Sequence, residues 1–246
     1  MKVIAAYSHK GGTGKSTALM MLANAISADG KTALLIDSDP QQNFAMYKTY
    51  SSEIDAWDEN LEVAYYDFEG TKIANFEQAL MDADESGKFD YALLNLSGAD
   101  HPFNRQALRY AELTILPFKP AATELTELAP ALNVIQELGK TGEIGQARVV
   151  FTMMKPEGKM TVAARDYKDA AKSQHPCMDT EIKDTAIFSD LVMKGLLNKV
   201  IEANADAKGL DKMALNRMGD ALADCKALLS ECDRVIGSST GAEDVA

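Results

Sequence analysis

Long hydrophobic runs are missing from this 246-residue chain. No apolar stretch approaches the roughly 20 residues needed to cross a bilayer, which excludes a membrane-spanning helix. Cysteine is scarce: Cys177, Cys225 and Cys232 are odd in number and lack metal-type spacing. That argues against a disulfide scaffold and for a reducing, cytoplasmic setting, with each thiol a small buried side chain. The N-terminus carries one Lys before a strand-like run, so it does not read as a signal peptide. Positive charge is also in deficit, with 25 Lys and Arg against 37 Asp and Glu and a net charge of −12. Such a balance opposes whole-surface attraction to nucleic acid. The deficit is uneven: residues 1–147 hold 11 basic and 21 acidic residues, and residues 148–246 hold 14 and 16. Any polyanion-binding face is therefore expected in the second half. Internal repeats and low-complexity linkers are absent as well.

What the chain does have is alternation. Short apolar, often β-branched runs fall at Val3–Tyr7, Thr32–Ile36, Leu61–Tyr66, Tyr91–Leu96, Leu113–Pro117 and Val149–Met153, with helical stretches between most of them. Continuous rather than alternating apolar character marks strands buried on both faces. The βαβα order predicts an α/β fold, a doubly wound and mostly parallel sheet with helices on both faces, over one domain spanning residues 1–236. Ligands of such sheets bind beyond the carboxyl ends of the strands. A last helix is expected from about Leu210 to Val235, where Leu210, Ala214, Met218, Ala221, Cys225, Leu228 and Cys232 form one apolar stripe. The Gly-, Ser- and acid-rich residues 237–246 are expected to form a disordered tail.

The strand Val3–Ser8 runs into His9-Lys10-Gly11-Gly12-Thr13-Gly14-Lys15-Ser16-Thr17 and then into Ala18–Ala28, which is apolar nearly all round. Gly11, Gly12 and Gly14 lack Cβ, so the backbone can curl around an anion and turn its N–H groups inward. The following helix adds its N-terminal partial positive charge. Lys15 supplies a point charge to the β- and γ-phosphates, and the Ser16 hydroxyl is placed to ligate Mg²⁺. Strand, loop and helix in this order make a phosphate-binding loop, with Lys10, Gly11, Gly12, Thr13, Gly14, Lys15, Ser16 and Thr17 as its nucleotide contacts. A solvated glycine loop is the bland alternative. The strict pattern needs Gly where Lys10 stands, so this loop is a deviant form with a second lysine.

The second strand ends in Asp37-Ser38-Asp39-Pro40-Gln41-Gln42. Carboxylates at i and i+2 leave a strand tip on one side, where this type of sheet holds its ligand. Acids there point to Mg²⁺ or to positioning of a water, against the ordinary use of Asp in turns. The fourth strand closes on Asn95.

At Lys10–Thr17 and Asp37–Gln42 the sequence resembles the ParA/MinD family of deviant P-loop ATPases, and the likeness extends over about residues 1–200. The resemblance implies ATP and Mg²⁺ as cofactors and ATP hydrolysis; the departure at Asn95 is the reason to expect that hydrolysis to be slow, with a chain that binds ATP but hardly hydrolyses it as the alternative. It also implies that Lys10 reaches the partner's phosphates in an ATP-bound homodimer, with Lys10, Lys15 and Asp39 catalytic. Asp39 would position the attacking water, and Asp37, with Ser16, Asp39 and Asn95, would surround the metal. The family usually places an aspartate where Asn95 stands; an amide accepts a hydrogen bond but brings no negative charge. Ser97-Gly98-Ala99-Asp100 resembles the second switch without its usual prolines. By the same resemblance Met154, Lys155 and Asp184 are neighbours of the adenine.

The biological role implied is that of a short ParA-type protein without an N-terminal helix-turn-helix: it binds non-specific DNA when ATP-bound, associates with the nucleoid and answers to a ParB-like adaptor or a cargo protein. A cargo-positioning or conjugation accessory ATPase and a metabolic P-loop enzyme are the alternatives. An iron-protein relative would need cluster cysteines after the fourth and fifth strands, and a MinD-like membrane anchor is disfavoured by the acidic flank Ser238–Asp244. Candidate DNA contacts are Lys155, Lys159, Arg165, Lys168, Lys172, Lys194, Lys199, Lys208, Lys212 and Arg217. Asp166 and Asp169 interleave with the first group, so a plain solvated helix is the competing reading there.

Overall fold

The computed structural model describes residues 1–67, 69–142 and 144–240, with side chains at all of these but 122–127, 239 and 240. Six strands, β1 (Lys2–Ala6), β2 (Ala33–Asp37), β3 (Leu61–Tyr65), β4 (Tyr91–Asn95), β5 (Leu113–Phe118) and β6 (Gln146–Phe151), form one sheet. Their order is β3-β2-β4-β1-β5-β6, and every pairing is parallel. The continuous apolar runs have their expected cause: β4 and β5 are buried along their whole length. In register, Asn95 of β4 lies beside Ala6 of β1 on one side and beside Asp37 of β2 on the other. Three strand ends therefore finish level at the carboxyl edge.

Ten α-helices cover the sheet among the described residues. In chain order they are α1 (Lys15–Ala28), α2 (Asn43–Glu53), α3 (Ile73–Glu85), α4 (Pro102–Tyr110), α5 (Ala122–Gly139), α6 (Val162–Gln174), α7 (Ala186–Ser189), α8 (Leu191–Lys194), α9 (Leu197–Ala203) and α10 (Leu210–Thr240). One apolar core joins α1, α2 and α7–α10 to one face, through residues such as Leu22, Phe44, Phe188, Leu197 and Leu228. The other joins α3–α6 to the opposite face, through Phe76, Phe103, Leu128 and Ala171. Helix α1 is apolar nearly all round because it is enclosed on all sides; Ala18 to Ile26 are all buried.

Most strand ends fall within one residue of expectation; β6 and the last helix depart further. The sixth strand ends at Phe151 rather than Met153, because Met153 adopts a φ of 53° and leaves the sheet. The last helix runs to Thr240, so residues 237–240 are helical and not a disordered tail. Its apolar stripe continues through Val235 and Ile236, which are buried, and Gln146 donates a hydrogen bond to the Val235 carbonyl at 3.2 Å. Residues 241–246, the remainder of that expected tail, lie outside the described residues.

A buried polar seam ties α1 to α2 and α9. Asn24 donates to the Tyr47 hydroxyl at 2.9 Å, Tyr47 donates to the Gly195 carbonyl at 3.1 Å, and the Leu197 amide donates to Asn24 at 2.8 Å. Each member satisfies another in a fully buried site, where an unpaired group would be costly. Gly195 has a φ of 73°, and a Cβ there would approach the Ala56 Cβ to 2.7 Å. Gly195→Ala should therefore lower the unfolding free energy by roughly 1–3 kcal/mol. Urea denaturation at equilibrium reads this, and an unchanged midpoint would mean the turn relaxes freely.

Candidate nucleotide site

The loop between β1 and α1 is built by its own side chains before any ligand is considered. Ser8 Oγ donates to the Lys10 carbonyl at 2.8 Å and lies 2.9 Å from Thr13 Oγ1. Gly12 and Gly14 have φ values of 76° and 105°, conformations that L side chains avoid. Behind Gly14 stands Thr152, whose hydroxyl donates to the Thr13 carbonyl at 2.8 Å and whose methyl would sit 3.0 Å from a Cβ on residue 14. Thr152 thus clasps the loop to the end of β6. On the other side Gly98 lies so close that a Cβ there would come within 3.3 Å of the Lys10 backbone.

Lys15 is only 5% exposed. Its ammonium donates to Ser8 Oγ and to the Lys10 carbonyl, both at 3.3 Å. Burial lowers the lysine pKa, while the negative charges of Asp39 and Asp37 oppose that shift. Two neutral acceptors at long range leave most of the cation's charge unanswered, which favours an anion at the loop.

A hydrogen-bonded chain runs across the strand ends beside the loop. Ser16 Oγ donates to Asn95 Oδ1 at 3.3 Å, and Asn95 Nδ2 donates to Asp37 Oδ1 at 2.9 Å. Asp37 also accepts the Asp39 amide on Oδ1 and the Phe44 amide on Oδ2, both at 3.0 Å. Burial raises the Asp37 pKa and these donors hold it back. Asp39 is half-buried and accepts the Gln41 amide at 3.0 Å. No cluster of three His, Cys, Asp or Glu able to hold a metal exists among the described residues. The oxygens of Ser16, Asn95 and Asp37 nevertheless form a hard donor set that fits Mg²⁺ sharing its coordination with phosphate and water.

The expected base neighbours separate. A cavity of about 50 Å³ beside the loop is lined by Gly14, Thr17, Thr152, Met153, Ile182, Lys183, Asp184, Phe188 and Ser189. Asp184 is in it. Met154 is buried, hydrogen-bonds through its backbone to Ile182 and Asp184, and faces a different cavity together with Lys155. Sequence reasoning missed Thr152, Met153 and Phe188 as lining residues. Positive φ at a methionine leaves no signature in composition or spacing, and Thr152 looks like any β-branched strand residue.

The candidate DNA-binding bases also divide. Lys168 pairs with Glu181 at 2.6 Å, Lys172 lies 3.9 Å from the same carboxylate, and both ammoniums sit over the Phe151 ring. Lys199 pairs with Asp58 at 3.3 Å and Arg165 donates to the Met160 carbonyl. Lys155, Lys159, Lys194, Lys208, Lys212 and Arg217 make no ion pair among the described residues.

A family model described as VirC1 protein matches residues 1–237. Protein virC1 of Rhizobium rhizogenes is 26% identical over 198 residues, 80% of this chain and 83% of that protein. Protein ParA of Rhizobium radiobacter is 27% identical over 158 residues, 63% of this chain and 66% of that protein. Among solved structures, apo McdA of Cyanothece superposes with a TM-score of 0.65 at 18% identity, covering 93% of this chain and 99% of its own. It shares the fold.

Gly14→Ala forces a side chain into both a left-handed backbone and Thr152. It should weaken ATP binding about tenfold, the equivalent of about 1.4 kcal/mol, with the fold retained. Titration of a fluorescent ATP analogue, alongside circular dichroism, reads this; equal affinity would detach the loop's shape from nucleotide binding.

Proposed function

The chain belongs to the VirC1 protein family, within the ParA/MinD type of P-loop ATPase, and from that premise we propose that residues 1–236 act as a single nucleotide-driven switch. In this reading the ATP-bound form dimerises, holds DNA without sequence preference and associates with the nucleoid in the cytoplasm. A partner or cargo protein then triggers hydrolysis and release. The observation that carries the reading is the meeting of a buried, under-neutralised Lys15 with the Ser16–Asn95–Asp37 chain at the carboxyl edge of the sheet.

The roles follow from position. The loop amides and Lys15 would hold the β- and γ-phosphates, and Ser16, Asn95 and Asp37 would hold Mg²⁺, which would draw charge off the phosphates. Asp39, half-buried and held by the Gln41 amide, orients the attacking water. Lys10, whose carbonyl already supports Lys15, reaches the partner's nucleotide across the dimer. DNA contact is ascribed to Lys194, Lys208, Lys212 and Arg217. The first half of α10 supports this by its exposure, with Leu210 83% and Met213 54% exposed. No helix among the described residues is long and apolar enough to cross a membrane.

Asn95 makes this ATPase slow. An aspartate at that position would give the metal a second negative ligand; the amide instead spends its N–H group on Asp37. Asn95→Asp should raise turnover by about tenfold, roughly 1.4 kcal/mol off the barrier. An unchanged steady-state rate would remove Asn95 from the account.

Retention on non-specific duplex DNA tests the switch itself. With a slowly hydrolysed ATP analogue the protein should be retained at low salt and lost as salt rises, log K falling by about 0.9 per tenfold rise in salt for each phosphate neutralised. Lys10→Ala should abolish retention while leaving affinity for the fluorescent analogue within about twofold. Retention that ignores nucleotide, or that survives Lys10→Ala, would overturn the proposal.

A further inference from the structure

A second cavity lies at the carboxyl edge of the sheet, beyond β5 and β6, on the far side of Met153 from the loop. Its volume is about 170 Å³. Met153, Met154 and Met160 line it, and Lys119, Lys155 and Lys159 stand around it. All three lysines are exposed and make no ion pair among the described residues. None of the phosphate, metal or water roles above uses this cavity.

We propose that this cavity docks an acidic segment of a partner protein, seating one large apolar side chain among the methionines while flanking glutamates or aspartates meet Lys119, Lys155 and Lys159. Three observations select that occupant. The first is size: a cavity of about 150 Å³ accepts a benzene-sized group, so this one takes a leucine or phenylalanine side chain. Its floor is the second, since unbranched methionines adapt to differently shaped apolar guests. The third is charge. On a chain of net charge −12, three exposed lysines around one hollow, without ion pairs among the described residues, give an acidic partner a local attraction. A DNA backbone would satisfy the lysines but offers nothing to fill a methionine-lined hollow.

The position gives the docking a use. Met153 lines this cavity and also the one beside Gly14 and Thr17. It is held at a φ of 53°, directly after the Thr152 that clasps the loop. An occupant pressing on Met153 therefore presses on a residue shared with the nucleotide cavity.

The test is fluorescence anisotropy on the full chain with three probes: a short labelled glutamate peptide carrying leucine at every fourth position, the same peptide with serine for leucine, and non-specific duplex DNA. The leucine peptide should bind, and the serine peptide should bind about tenfold more weakly, as expected for losing one buried leucine. The double variant Lys155→Glu/Lys159→Glu should weaken the leucine peptide by at least about tenfold, with affinity for the fluorescent ATP analogue unchanged. Met160→Gln, which keeps every charge, should weaken it as well. No binding by the unaltered protein, equal binding of the two peptides, or indifference to the lysine reversal would each overturn the proposal. So would loss of DNA retention in the lysine variant with peptide binding intact, since the rim would then be a phosphate contact. Because the peptide readout needs neither dimerisation nor hydrolysis, its failure is distinct from failure of the switch.

Discussion

A lysine only 5% exposed at the edge of a parallel sheet is the constraint on which this structure turns. Removing that charge from water is expensive, and two neutral acceptors at 3.3 Å return little of the cost. The rest of the carboxyl edge is arranged around it. Ser8, Thr13 and Thr152 lock the loop so that the ammonium has one place to be, and Asp37 and Asp39 supply distant negative charge. Such an arrangement is electrostatically incomplete, and in the proposed function a polyphosphate would complete it.

The strand ends show a different balance. Burial alone pushes Asp37 toward its neutral form, and three N–H donors keep the carboxylate acceptable where it is. One of those donors is Asn95. With a carboxylate at that position, two like charges would face each other across a β2–β4 register pair, tolerable only with a cation between them. In the proposed reading the amide avoids that repulsion and gives up part of the attraction for the metal, so the site relies more on order that the chain supplies itself; that is the physical reason for proposing slow turnover.

Much of this was legible in the sequence. Buried parallel strands announce themselves as unbroken apolar runs, and β4 and β5 proved buried throughout. The strand–loop–helix of the candidate phosphate loop was readable because glycine spacing, a lysine and a following helix are local features. The sheet register that sets Asn95 beside Asp37 was not readable, since it depends on contacts 58 residues apart in sequence. The same limit hid the inward turn of Met154 and the ion pairing of Lys168, whose Glu181 partner sits in the segment between α6 and α7. Helix α10 outran its expected end because burial of Val235 and Ile236 outweighed the small and polar residues that follow.

The central claim is that occupation of this loop by ATP, and not by ADP, joins two chains. Light scattering coupled to size exclusion, with Mg²⁺–ATP, Mg²⁺–ADP or no nucleotide, weighs the particle directly. Twice the 26.6 kDa chain mass with ATP alone is the predicted result. A mass that stays at one chain in all three conditions, with the nucleotide bound, would contradict it.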